Sequence, residues 1–61
     1  MSKTTKTEIR KHLKEVKTVV RAIETELADG DGERLENLAH QLLGISDLAA
    51  NETIDYCLEN L

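Results

Sequence analysis

Apolar side chains recur through the first half of the chain at Ile9, Leu13, Val16, Val20, Ile23 and Leu27, at intervals that alternate between four and three residues. That alternation is the heptad signature of a bundle or coiled-coil helix. Thr5 followed by Glu8 fits a capping box, in which hydroxyl and carboxylate each take up a free backbone N–H. The pattern therefore predicts a first helix from about residue 5 to about residue 28. Asp29-Gly30-Asp31-Gly32 then supplies a glycine able to take the left-handed C-terminal conformation and an aspartate able to cap the next helix. A tight helical hairpin is expected.

The second helix is expected from about residue 32 to about residue 48, with Glu33 near its positive end and a stripe of Leu35, Leu38, Leu42, Ile45 and Ala49. Beyond Ala49 the pattern changes phase. Ile54, Cys57, Leu58 and Leu61 lie well over 100° from the first stripe if the helix runs on. Two geometries accommodate this. One is a turn near Ala49 to Asn51, with Asn51 as N-cap, Glu52 in the first turn and a short third helix from about 52 to 61. The other is a single long helix with two apolar faces, one for the hairpin and one for a second subunit. The break is the simpler geometry and is the one expected.

Composition agrees with an all-α class: there is no proline, tryptophan or phenylalanine, one tyrosine, and much Leu, Glu, Lys and Ala. At 61 residues the chain is read as a single small domain, residues 1–61. A core of that size supplies only about 3–5 kcal/mol, so assembly into a dimeric helical bundle is expected. The lone cysteine, Cys57, is expected as a small buried hydrophobe, and two histidines without a cysteine at zinc spacing predict no metal site and no cofactor. With no long apolar run, no membrane partner is expected, and a reducing cytoplasmic setting fits best.

Charge divides the chain. Residues 1–21 carry net +5, whereas residues 22–61 carry net −9. Lys3, Lys6, Arg10, Lys14, Lys17 and Arg21 recur three or four residues apart along one flank of the apolar seam, with Glu8, Glu15 and Glu26 along the other. Such a stripe serves charge pairing across a bundle, with the long stems covering the core edge. Alternatively it binds RNA, DNA or an acidic protein, six aligned cations being enough to neutralise phosphates. No aromatic is interleaved for base stacking. In outline alone, a dimeric hairpin of this length resembles the RNA-binding plasmid copy-number regulators. A helix-turn-helix over residues 38–61 fits poorly, because its second helix would bring Glu52, Asp55 and Glu59 to the phosphates. His12, beside the seam, is read as a flanking polar contact.

Leu38-Ala39-His40-Gln41-Leu42-Leu43-Gly44 holds the candidate chemistry. His40 points roughly 180° from the Leu35–Ala49 stripe, toward solvent or a partner. Gly44 lies one turn below it and leaves room for a partner to reach the ring.

Residues 38–61 resemble the histidine phosphotransfer (HPt) domains of bacterial phosphorelays, whose signature runs Ala-His-x-Leu-Lys-Gly. Ala39, His40, Leu42 and Gly44 match in place, Ser46 supplies the small residue, and Ile54, Cys57, Leu58 and Leu61 fall where that family's next helix buries apolar side chains. Leu43 stands where the family has lysine, and Ala50 where it has a turn glycine. The resemblance implies His40 as phosphoacceptor and a receiver domain or histidine kinase as partner, with magnesium and the acidic pocket on the receiver. It also implies that a second copy supplies the bundle surface that this chain lacks. Any cation for the phosphoryl group would come from helix 1 or from a partner, because Glu33, Glu36, Asn37 and Asp47 surround His40 on its own helix.

Overall fold

In a computed structural model, residues 4–30 and 32–60 are described; Lys3 of the basic stripe, Asp31 of the turn and Leu61 of the second apolar face lie outside them. Two helices, α1 (Lys6–Asp29) and α2 (Leu35–Asn60), pack antiparallel into a hairpin 45 × 17 × 15 Å, with no strand among the described residues. The capping box forms as expected: the Glu8 N–H donates to Thr5 Oγ1 and the Thr5 N–H to Glu8 Oε1, both at 3.2 Å.

The turn uses its glycines differently from the expectation. Gly30 ends α1 with extended backbone and donates its N–H to Glu26 O at 3.0 Å. The left-handed residue is Gly32, at φ 84°. Its carbonyl accepts from the Leu35 N–H at 3.2 Å, so Glu33 and Arg34 lie in the turn and α2 opens later than expected. Glu36 is then the acid in its first turn.

The expected break is absent. α2 runs through residues 49–51 without interruption, so the described residues contain no third helix. Nothing in that stretch stops it: there is no proline, and the polar side chains turn back on their own helix. Asn51 Nδ2 donates to Asp47 Oδ2 at 3.4 Å instead of capping a new helix, and Thr53 Oγ1 donates to the Ala49 carbonyl at 2.8 Å. The phase shift is real, and a single helix carries it as two faces.

The face of α2 that meets α1 is the first stripe, with Leu38 and Ala49 buried and Leu35, Leu42 and Ile45 half-buried. Glu52 and Tyr56 continue it at the same spacing. On α1 the outcome corrects the expected seam. Ile9, Val16 and Ile23 do face α2, but the other seam positions are His12, Val19 and Glu26; Leu13, Val20 and Leu27 are exposed. The apolar face of α1 is wider than one partner helix can cover, and the hairpin uses half of it. Val19, Leu38 and Ala49 are the buried apolar residues among those described.

Candidate functional site

His40 and Gly44 lie in the middle of α2, on the side turned away from α1, and both are exposed. The first stripe of α2 is committed to α1, and about 100° per residue carries His40 to the opposite side. Gly44 sits inside a regular helix with ordinary backbone, so its conformation asks for no glycine. A Cβ built there meets nothing within 4 Å. The space over Gly44 is open, as a histidine approached by a partner requires.

Glu36, Leu43 and Asp47 share the exposed surface with His40, Leu43 being 69% exposed. Further along, Ile54 and Leu58 are 55% and 78% exposed. The surface is thus acidic and apolar, with no lysine or arginine on α2 itself. His12, the other histidine, is occupied: its Nδ1 lies 2.5 Å from Glu52 Oε1 across the hairpin, both side chains being more than four-fifths covered. This is the polar contact expected beside the seam, and it ties the middle of α1 to the second half of α2.

The basic candidates Lys6, Arg10, Lys14, Lys17 and Arg21 are all exposed along α1. Within one chain they do not meet His40. The hairpin interior separates them, because the basic flank of α1 and the outer side of α2 point away from each other.

Sequence reasoning missed the groove between the helices, of about 440 Å³. Leu13 and Val16 of α1 line it with Ser46, Ala50, Thr53 and Ile54 of α2. Val20 and Leu27 continue the α1 edge at heptad spacing, and Leu43 continues the α2 edge one heptad before Ala50. One flank of the hairpin is therefore an apolar trough. The signal for it was the phase change after Ala49. Cys57, expected to be buried, is exposed.

No helix among the described residues is long and apolar enough to cross a membrane, and these residues contain no cluster of His, Cys, Asp and Glu suited to a metal ion. Comparison of the chain with protein-family models, curated proteins and solved structures finds no match.

Proposed function

We propose that this chain is a homodimeric docking protein of phosphorelay type, which presents the His40 surface of α2 to a receiver domain or a histidine kinase. The observation that carries the reading is His40 standing exposed on a continuous helix, with open space over Gly44. A docking protein needs a reactive or recognised group clear of its own core, held on an element that does not move. The continuous α2 provides this, because its inner stripe is fixed against α1 while the outer side carries the histidine.

If a phosphoryl group is carried, a lone pair on a neutral His40 ring nitrogen attacks phosphorus. An N–P bond forms as the aspartyl O–P bond breaks, and the receiver carboxylate leaves with the electron pair. The same surface, binding without transfer, acts as a mimic that occupies the partner. The trough supports a dimer: Leu13, Val20, Leu27 and Ile54 are exposed on one flank, and the hairpin has only a small buried core.

The test is incubation with a panel of receiver domains phosphorylated by acetyl phosphate. Wild type is expected to bind a receiver and either take up label on His40 or slow its loss from the receiver. A His40→Ala variant that binds and changes the label as wild type does would remove the reading. Binding lost on changing Arg10, Lys14 and Lys17 together, with steep salt dependence and with no effect of His40→Ala, would instead move the activity to an anion-binding α1.

A further inference from the structure

The His40 surface lacks a lysine or arginine within its own helix, yet a row of exposed basic residues runs along α1. We infer that a second copy of this chain, seated on the apolar trough, completes the surface by laying Lys17 and Arg21 of its α1 beside Asp47 and His40. This rests on the dimeric docking reading above.

Levels along the hairpin follow from its cross-contacts. His12 lies opposite Glu52, and the Thr4 N–H reaches Glu59 Oε1 at 3.2 Å, so residues whose numbers sum to about 64 stand level in an antiparallel pair. Lys17 is then level with Asp47, Arg21 with Leu43, and Leu13 with Asn51, beside Ala50. Two closed arrangements can cover the trough with a second copy. With the two-fold axis across the helices, α1 packs on its own copy and sets an edge of Lys6, Arg10, Lys17 and Arg21, interrupted by Glu24, against itself. With the axis along the hairpin, α1 packs antiparallel on the other copy's α2 and the levels are kept.

Charge chooses the second arrangement. The basic edge of α1 then runs beside the edge of α2 that carries Glu36 and Asp47. Shape agrees, because the large Leu13 and Leu27 come to the small Ala50 and Ala39, with Val20 against Leu43. Neighbouring helices in such a bundle lie about 8–10 Å apart, which a lysine or arginine stem spans at its edge. Lys17 reaches Asp47, which within its own chain is held only by Asn51 at 3.4 Å among the described contacts. Glu24, an exposed acid on the same edge of α1, stands level with His40, and Arg21 comes within about one turn of it on the outer side, where a phosphoryl group would sit. His40 itself stays outside the seam, because the trough and the outer side of α2 face different ways.

Charge reversal with rescue tests this by analytical ultracentrifugation and circular dichroism. Lys17→Glu and Asp47→Lys are each expected to weaken the dimer about tenfold, since the two-fold axis repeats each change. The double variant is expected to return to within about threefold of wild type, because the pair is restored with its sign inverted. Arg21→Glu is expected to leave the helices intact and to reduce the His40-dependent effect on receivers. A dimeric wild type with no rescue in the double variant overturns the juxtaposition and leaves the docking reading standing. A wild type that sediments as a monomer throughout overturns both.

Discussion

On one flank of the hairpin the seam is finished by polar contacts within the same chain, the His12 ring on Glu52 and the Thr4 backbone N–H on Glu59. On the other flank Leu13, Val20 and Ile54 end in an open trough. Both flanks border the same small core of Val19, Leu38 and Ala49, yet only one is closed within the hairpin. The difference lies in residue type. Carboxylates at Glu52 and Glu59 give one flank acceptors for groups across the hairpin, whereas the other, lined by Ala50 and Ile54 with only the hydroxyls of Ser46 and Thr53, carries no charged side chain in the trough. A short hairpin that leaves one flank in this state gains most by covering it with another helix pair.

The sharpest way to break the contrast is to place the same charge on each flank. Ala50 and Leu48 are both exposed on α2, but Ala50 borders the trough while Leu48 sits one turn before Glu52, on the closed flank. In an isolated hairpin both changes to Glu are surface substitutions, within about 0.5 kcal/mol. In the proposed dimeric bundle Ala50→Glu drives an unpaired carboxylate into an apolar seam, at a cost of about 3 kcal/mol or more. The expected result is a monomeric, destabilised Ala50→Glu and a Leu48→Glu close to wild type, read by sedimentation and thermal unfolding. Equal behaviour of the two would erase the distinction between the flanks.

A smaller effect is expected where the closed flank is opened. Glu52→Ala removes the acceptor from a mostly covered His12, at a cost of about 1 kcal/mol in urea unfolding. His12→Ala should cost about as much, and the double variant should lose less than the sum of the two because they share one contact. Strict additivity would mean that the contact contributes nothing and that the flank closes for another reason. In the turn, Gly32→Ala should also cost about 1 kcal/mol, since φ 84° is strained for any residue with a Cβ.

The same contrast separates the features that are legible in the sequence from those that are not. The Thr5–Glu8 cap and the Leu35–Ala49 stripe depend on residues within a turn or two of each other, and both could be read directly. The outward direction of His40 needed only its angle from that stripe. The half of the α1 face that packs could not be read locally. Val19 and Val20 are equally apolar, and His12 owes its seam position to Glu52, forty residues away. On α2 the phase change has two solutions. Asn51 favours a break as an N-cap, but the absence of proline and its bond to Asp47 let the helix continue. That continuity removes the turn that the phosphotransfer resemblance implied, and leaves Ala39, His40, Leu42 and Gly44 as its support.

Gly44 allows stability and docking to be separated, because it lies on neither flank of the seam. An exposed glycine inside a helix costs roughly 0.5–1 kcal/mol relative to alanine, and a Cβ here meets nothing within 4 Å. Gly44→Ala is therefore expected to raise stability by about that amount and to leave the proposed dimer unchanged. If a partner domain must approach His40 over this position, the same methyl group occupies its path. Receiver binding should then weaken although the protein is more stable, and Gly44→Leu should weaken it further while remaining helical. A Gly44→Leu variant that engages receivers as wild type does would show that the open space is not used, and the interest of His40 would then rest on its exposure alone.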